Sequence, residues 1–363
     1  MTTDLVNEWT DYTSVPTPTL VLDEPRLDRN IAAMAAFASH AGLGLRPHVK
    51  THKSIEIARR QLAAGALGIT VATISEAEVF ARAGFVDIFI AYPLWLDEDK
   101  ARRLRRVLEI TPVLVGVDSR AGATQLAHAT DGLWDRLSVL IEVDSGHHRS
   151  GVAPTDAGNV ASGAALSGLD VAGVFTFPGH SYSPEKRRVA AADEMRSLAM
   201  AVESLAQEGL ASRIVSGGST PSVEFADASV LTELRPGVYV FGDAQQWELG
   251  TCSPGDIALS VLTTVVSRTA DRVIADAGSK VLAADRGAFS TGFGRLLDDP
   301  DARVTGLSEH HATITGVDYA PGTRLRLVPN HVCVAVNLAD EYIVMRDGRV
   351  VGTWPVDARG RNQ

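Results

Sequence analysis

The sequence predicts an α/β protein in which a (β/α)8 TIM-type barrel is followed by a C-terminal all-β domain. From about residue 17, short β-rich runs alternate with alanine-rich amphipathic stretches, which is the pattern of repeated strand–helix units. Most of these runs are continuously apolar, as expected for parallel strands that are buried on both faces. After about residue 250 the runs are separated by glycine, proline and aspartate turns. We therefore expect the barrel in residues 17–250 and the β domain in residues 251–363.

The predicted barrel has eight strands, separated by helix-forming stretches. Asp97 is a predicted helix N-cap, and Ser75 with Glu78 forms a predicted capping box. A doubly wound sheet is the weaker alternative, because no dinucleotide-binding fingerprint follows the first strand. The predicted strands are residues 19–23, 44–49, 68–73, 87–92, 113–118, 138–144, 171–177 and 213–217.

The predicted β domain consists of short β-like runs. Asp347 and Gly348 lie between β-branched residues, which predicts a hairpin. The other predicted strands are residues 257–268, 272–276, 303–307, 312–316, 324–329 and 342–345.

The composition excludes several classes of protein. A formal charge of −10 and a pI near 5.5 argue against a surface for nucleic acid or anionic membrane. Two cysteines form no disulfide framework, and the N-terminal residues do not have the pattern of a secretory signal. No apolar run is long enough to span a bilayer. We therefore expect a cytoplasmic protein that acts on a small molecule.

Lys50 lies in the basic segment 45–53, where an apolar run ends and a helical pattern begins. Crowded cationic neighbours disfavour the ammonium form, so a lysine in this setting can be neutral and nucleophilic near neutral pH. Such a lysine suits Schiff-base chemistry with a carbonyl, including that of pyridoxal phosphate. The alternative is a basic turn on the surface of the protein.

Polar residues follow six of the eight predicted strands, at the end where a barrel carries its active site. Together they include four histidines, among them His180, with two arginines and a lysine. One polar strand end is usually a helix cap. Six such ends together indicate an active site.

The segment 216–220, Ser-Gly-Gly-Ser-Thr, has the composition of a phosphate-binding loop. Two glycines let the backbone approach an anion, and the position after the eighth predicted strand is one where barrels bind phosphate. A flexible turn is the alternative. With Lys50 it would supply two anchors for pyridoxal phosphate, and Arg149 could pair with the phenolate oxygen of the cofactor. Alternatively, Arg149 is an exposed arginine at the start of a helix.

His331 and Cys333 are a candidate metal pair. If residues 324–338 are extended, side chains two positions apart lie on the same face. Imidazole and thiolate favour zinc, and two protein ligands leave positions open for substrate and water. The alternative is a packed cysteine beside a half-buried histidine. Cys252 is interpreted as structural.

Taken together, the motifs resemble the D-serine dehydratase / D-threonine aldolase family, fold-type III pyridoxal phosphate enzymes with an alanine racemase-like barrel. The resemblance covers nearly the whole chain. The segments that carry it are TPTLVLD, RPHVKTHKS, TISEAEVF, VDSGHHRSGV, GHSY, SGGST, ELRPGVYVFGD, RVIADAGSK and PNHVCVAVNL.

The resemblance implies a homodimer with its site near the subunit interface, and a β domain completed by residues 1–16. It implies pyridoxal phosphate and a divalent metal, for which zinc is favoured. Lys50 matches the Schiff-base lysine and Arg149 the arginine on the phenolate side, while His331 and Cys333 match the metal pair. The remaining cofactor-binding positions are Tyr182, Gly217, Gly218, Ser219, Thr220 and Tyr239.

The resemblance also bears on the reaction. Aldolase members carry His-x-Asp at the metal pair and dehydratase-like members His-x-Cys, as here; Val334 and Ala335 then replace the Pro-Thr of many relatives. We therefore expect β-elimination of water from a D-3-hydroxy amino acid, giving a 2-oxo acid and ammonia. The alternative is retro-aldol cleavage to glycine and an aldehyde, with His180 or a metal-bound group as base. A racemase has no use for the metal pair, and a non-catalytic cofactor carrier has no use for the β domain.

Overall fold

The computed structural model describes residues 14–363, and the first thirteen residues of the segment expected to complete the β domain lie outside this range. The described chain forms two units. One comprises residues 34–50, 58–237 and 361–363, and the other comprises residues 14–33, 51–57 and 238–360. The predicted domain boundary near residue 250 stays a prediction. Within residues 14–363, no helix combines the length and the apolar character needed to cross a membrane.

Strands and helices are numbered separately along the chain. The strands are β1 Thr19–Asp23, β2 Gly44–Leu45, β3 Ile69–Val71, β4 Ile88–Pro93, β5 Val113–Val117, β6 Leu137–Glu142, β7 Asp170–Phe175, β8 Ile214–Gly217, β9 Glu233–Leu234, β10 Leu259–Arg268, β11 Val273–Ala275, β12 Gly294–Leu296, β13 Arg303–Leu307, β14 Ala312–Thr315, β15 Arg324–Pro329, β16 Glu341–Arg346 and β17 Arg349–Pro355. The helices are α1 Glu24–His40, α2 Ile55–Ala63, α3 Ile74–Arg82, α4 Glu98–Ile110, α5 Arg120–Ala129, α6 Ala157–Leu166, α7 Arg187–Gln207, α8 Ala244–Glu248, α9 Ser279–Leu282 and α10 Val332–Leu338.

Eight parallel strands form the barrel, in the order β2-β9-β8-β7-β6-β5-β4-β3. The barrel closes between β2 and β3, where His48 and Thr70 form a parallel bridge and the Thr70 N–H donates to the Pro47 carbonyl at 2.9 Å. Phe89 and Phe175 meet edge to face in its core, with ring centroids 5.0 Å apart. The predicted fold class is confirmed.

One strand of the predicted barrel was wrong. Thr19–Asp23 (β1) pairs antiparallel with β10 and parallel with β16, so it belongs to the second sheet. The remaining barrel strand is instead Glu233–Leu234 (β9), which pairs with both β8 and β2. The apolar pattern of β1 suits either sheet, and only its distant partners decide between them. β9 is too short and too polar to be recognised from its sequence.

The second unit contains a nine-stranded sheet in the order β11-β14-β13-β12-β15-β10-β1-β16-β17. Its pairs are antiparallel except β1 with β16. Asp347 and Gly348 form the predicted hairpin turn, with φ of 49° and 76°, and this double left-handed conformation is typical of two-residue hairpin loops.

One predicted helix start is confirmed and another lies two residues earlier than expected. The Asp97 side chain accepts a hydrogen bond from the Lys100 N–H at 2.8 Å and caps α4. Helix α3, however, is capped by Thr73, and the Glu76 carboxylate accepts from the Ala72 N–H. The capping box was therefore predicted with the wrong residues, because serine and threonine are both good N-caps.

A buried ion pair links two neighbouring barrel strands. The Arg46 Nε lies 3.0 Å from Glu233 Oε2, and both side chains are less than a twentieth exposed. Arg46 also donates to Asp87 Oδ1 at 2.6 Å, and the Ser216 hydroxyl donates to Glu233 Oε1 at 2.6 Å. The pair fixes the register of β9 against β2, where the strands themselves provide few hydrogen bonds.

We expect Arg46→Leu to lower the free energy of unfolding by about 3–5 kcal/mol, because Glu233 would keep a buried charge without its cation. Urea denaturation monitored by circular dichroism measures the effect. The double variant Arg46→Leu/Glu233→Leu is the matched control and should recover most of the loss. A single variant within about 1 kcal/mol of wild type would contradict this account.

Candidate active site

Lys50 lies at the mouth of the barrel, in the 3-10 turn Val49–Thr51 that follows β2. Its side chain is half-buried, and its Nζ lies 5.9 Å from the centre of the Phe177 ring. Phe177 follows β7, so two strand ends meet at this point. The prediction that Lys50 faces the barrel mouth is consistent with this position, and its Schiff-base role stays a prediction.

The basic residues adjacent to Lys50 in the sequence do not supply the positive charge that we expected around it. Arg46 is occupied by carboxylates, and the Lys53 Nζ donates to Asn337 Oδ1 at 2.7 Å. His48 is neutral, since burial lowers its pKa well below the usual range and the nearby charge of Lys50 lowers it further. Adjacent residues in a turn point in different directions, which the sequence alone does not show.

Cations from other strand ends take the place of those sequence neighbours. Arg235 and Arg149, after β9 and β6, also act to lower the pKa of His48. Arg235 is buried, its guanidinium lies over the rings of Phe89 and Phe175, and burial lowers its pKa to about 10. The folded barrel therefore concentrates positive charge near Lys50, as a site for an anionic ligand requires.

Phe177 is the centre of this site and was not predicted. The Arg149 guanidinium lies 5.1 Å from its ring centre, the His147 ring is edge-on at 5.6 Å, and the Tyr182 ring is tilted at 6.4 Å. The sequence signal was an aromatic residue at a polar strand end. Phe177 brings Lys50, Arg149 and Tyr182 around one apolar face.

Glu142 lies beneath Arg149 and is a second residue that the sequence reasoning missed. It is buried at the end of β6, and its Oε1 accepts from the Ser150 hydroxyl at 2.9 Å and lies 3.9 Å from Arg149 Nη2. Burial raises the pKa of Glu142, while Ser150 and Arg149 oppose the shift. Its other oxygen, Oε2, is buried without a hydrogen-bond partner within residues 14–363. Glu142 is thus a buried carboxyl group next to the Arg149 guanidinium.

His180 lies in the 3-10 turn Gly179–Ser181, with its Nε2 3.4 Å from Asp193 Oδ2. Its ring packs against Gly146, where a Cβ would lie 3.4 Å away. His147 lies beside it, and burial lowers the pKa of His147 below its usual value, assisted by Arg149 and His180. Two imidazoles therefore lie at this edge of the site.

The segment 216–220 follows β8 and makes a tight turn at Gly218, whose φ is 80°. Two of its amides already have acceptors. The Gly218 N–H donates to Glu194 Oε1 at 2.6 Å, and the Ser219 N–H donates to Ser222 Oγ at 3.0 Å. The Thr220 hydroxyl is buried without a hydrogen-bond partner in the described part of the chain. This hydroxyl fits an anionic group such as the cofactor phosphate.

His331 and Cys333 belong to the other unit, as does Tyr239. Residues 332–338 are helical, so the expected extended conformation was wrong: His331 is the extended N-cap of α10 and Cys333 its second residue. The two side chains nevertheless hydrogen-bond each other, and Cys333 Sγ lies 3.4 Å from Thr51 Oγ1. A helix N-terminus brings the pair together as well as a strand would.

A buried carboxyl group, that of Asp243, lies beside His331 and Cys333. Asp243 is fully buried, accepts from the Val332 and Gln246 amides, and has its Oδ2 3.7 Å from His331 Nδ1. Burial opposes protonation of His331, but Cys333 and Asp243 raise its pKa to about 10. Residues 14–363 contain no group of three or more histidine, cysteine or acidic side chains arranged to hold a metal. A metal bound by His331 and Cys333 stays a prediction.

Comparisons with known proteins agree with this architecture. Residues 22–245 match the family "Alanine racemase, N-terminal domain", and residues 258–345 match "Putative serine dehydratase domain". The chain is 36% identical to D-threo-3-hydroxyaspartate dehydratase of Delftia sp. (strain HT23), with 94% of this chain and 97% of that protein covered. It is also 36% identical to D-threonine aldolase of Arthrobacter sp., with 95% and 93% covered.

Solved structures include the Delftia dehydratase, with 35% identity, a TM-score of 0.86, and 94% and 97% of the two chains covered. Two variants of D-threo-3-hydroxyaspartate dehydratase are equally similar in fold, a histidine-to-alanine mutant and a cysteine-to-alanine mutant in the metal-free form. The two mutated positions are two residues apart in that enzyme, as His331 and Cys333 are here. The chain belongs to the D-serine dehydratase / D-threonine aldolase family, in which an alanine racemase-like barrel is joined to a serine dehydratase domain.

Proposed function

We propose that this protein is a pyridoxal phosphate- and metal-dependent lyase that removes water from a D-3-hydroxy amino acid, giving a 2-oxo acid and ammonia. Relatives of this chain include D-threo-3-hydroxyaspartate dehydratase, D-threonine aldolase, 3-hydroxy-D-aspartate aldolase and D-serine dehydratase. The observation that carries the choice of dehydratase is the pair His331 and Cys333. It has the residue types and the spacing of the two positions mutated in the dehydratase relative.

The cofactor-binding residues predicted from the sequence would hold pyridoxal phosphate. Lys50 would bind its carbonyl, Arg149 its phenolate oxygen, and Thr220 its phosphate. The other proposed contacts come from Tyr182, Tyr239 and the rest of the glycine-containing loop, namely Gly217, Gly218 and Ser219. When bound, pyridoxal phosphate withdraws electrons from the α-carbon of an amino acid joined to it.

Removal of the α-proton of the substrate would depend on side chains of the protein itself. Lys50, whose side chain is half-buried and lies near the Phe177 ring, would accept that proton. The Phe177 ring lies 5.1 Å from the Arg149 guanidinium, and Glu142 Oε1 lies 3.9 Å from Arg149 Nη2. These two contacts would favour an orientation in which Arg149 faces the cofactor.

His331 and Cys333 would hold the metal, with zinc favoured because its ligands are commonly imidazole and thiolate. A metal in this position would act as a Lewis acid on the β-hydroxyl of the substrate. Asp243 would orient the His331 ring through its Nδ1, as a carboxylate does behind many histidine ligands.

Retro-aldol cleavage is the second candidate, because the aldolase and the dehydratase are equally identical to this chain. It requires a base for the β-hydroxyl proton. His180 would supply this base, since its Nε2 lies 3.4 Å from Asp193 Oδ2 and the carboxylate would orient the imidazole.

Product analysis with D-threonine distinguishes the two reactions. We expect 2-oxobutyrate and ammonia in equal amounts from the cofactor- and metal-loaded enzyme, identified by mass spectrometry. If the products are glycine and acetaldehyde, the reaction is retro-aldol cleavage and the proposed dehydratase activity is wrong. L-Threonine is the control substrate and should remain unchanged.

We further propose that the protein is a cytoplasmic homodimer, as its family resemblance and composition suggest. Sedimentation at several protein concentrations tests the dimer, and a monomer at all concentrations would contradict it.

A further inference from the structure

Glu194 is a buried carboxyl group for which the proposed reaction has no role. It lies on α7, is 1% exposed, and accepts a hydrogen bond from the Gly218 N–H at 2.6 Å. Gly218 lies in the middle of the loop 216–220 that would bind the cofactor phosphate. A carboxyl group with this degree of burial is costly unless it has a specific partner, and this partner is the loop itself.

The loop is shaped around Glu194. A Cβ on Gly217 would lie 2.4 Å from Glu194 Oε1, so any larger residue at 217 would collide with the carboxyl group. Gly218 has a φ of 80°, which favours glycine, and its amide points at the same oxygen. The two glycines and Glu194 therefore form one structural unit, and the hydrogen bond fixes the direction of the chain that leads to Thr220.

The charge of Glu194 is poorly stabilised. Burial raises its pKa to about 7, and only the Gly218 amide and the Arg235 guanidinium oppose this shift among the described groups that act on it. Arg235, from the strand end after β9, already binds the Ser216 hydroxyl and the Thr176 carbonyl. A phosphate in this loop would add negative charge and favour the protonated carboxyl group further.

We propose that Glu194 is a positioning residue for the cofactor phosphate. Glu194 fixes the Gly217–Gly218 turn and takes up a proton when the phosphate binds. This inference rests on the proposed function, because it requires pyridoxal phosphate in this loop. Its sign follows from linkage: if the bound anion raises the pKa of Glu194, binding is tighter when Glu194 is protonated. Cofactor affinity therefore falls as the pH rises through 7.

The test is the dissociation constant of pyridoxal phosphate from the full-length protein after removal of the cofactor, followed by its absorbance spectrum. A rise of one unit in the pKa of Glu194 on binding would make the wild type about sevenfold weaker at about pH 8.5 than at about pH 6, relative to a variant that cannot titrate. Glu194→Gln is that variant, since its amide oxygen still accepts from Gly218. Glu194→Ala removes the acceptor and should weaken binding at both pH values.

Glu203→Gln is the matched control, because Glu203 is exposed on the same helix, and it should behave as the wild type. The ionisation of the cofactor itself is common to all variants, so the comparison of pH ratios isolates Glu194. If Glu194→Gln keeps the pH ratio of the wild type, the proposal is overturned while the proposed function stands. A wild type that binds no pyridoxal phosphate at either pH overturns both. Should Glu194→Ala fail to fold, Glu194→Gln alone decides.

Discussion

Replacing Lys50 with alanine is expected to abolish turnover, with kcat/KM lowered by at least about 10³-fold, since the variant loses both the covalent anchor and the α-proton base. The visible absorbance of the cofactor bound to the protein should vanish at the same time. Steady-state kinetics and an absorbance spectrum measure the two effects. Their joint loss would identify Lys50 as the group that touches both cofactor and substrate.

Lys100→Ala is the matched control for this experiment. Lys100 lies on α4 with a half-exposed side chain, and its Nζ donates to the Trp95 carbonyl at 3.4 Å and lies 4.0 Å from Asp97 Oδ2. We expect its kinetics and spectrum to equal those of the wild type. If Lys50→Ala retained the cofactor absorbance, the assignment of the lysine would be wrong, whatever happened to turnover.

The second large effect is expected at the metal pair. His331→Ala and Cys333→Ala should each lose the metal and lower kcat by about 10²- to 10³-fold, the contribution of several kcal/mol that a Lewis acid makes to departure of a hydroxyl group. Metal analysis of the purified variants and assays after re-addition of zinc measure the two effects. The histidine and the cysteine side chains already contact each other, so loss of either should disable the site.

Cys252→Ser provides the control for the cysteine variant. Burial raises the pKa of Cys252 to about 12, so this thiol stays protonated, and it packs with Ile257 and Val328. The serine variant should keep the metal content of the wild type. Chelation that removes the metal but leaves activity intact would separate His331 and Cys333 from the reaction.

Local patterns were sufficient for the type of most elements. Continuous apolar runs predicted parallel strands, because burial of both faces leaves a direct trace in the sequence. The change after about residue 250 to short runs separated by turn residues predicted an all-β domain. These local patterns were not sufficient to predict which strands pair with each other. β1 was predicted in the barrel but pairs with β10 and β16, because an apolar strand carries no record of which distant strand it meets.

The site divides in the same way. Lys50, Arg149, the loop 216–220 and the pair His331 and Cys333 were predicted from the sequence, because each has unusual chemistry at a strand end or at short spacing. Phe177 was missed because the sequence does not show which side chains surround an aromatic residue at a strand end. Glu142, Glu194 and Asp243 were missed because acidic residues usually lie on the surface. Their burial depends on which helix face or strand end packs inward.

The sequence by itself therefore determined the class of fold and the family, which are properties of residue type and local order, and it predicted the role of Lys50. Only the tertiary structure decided that the cations near His48 are Lys50, Arg149 and Arg235 rather than the neighbours of Lys50 in the chain. It also decided that the glycines of the loop 216–220 face a buried carboxyl group. The physical reason is that charge and burial depend on distances in space, and residues far apart in the chain set those distances when the strands pair.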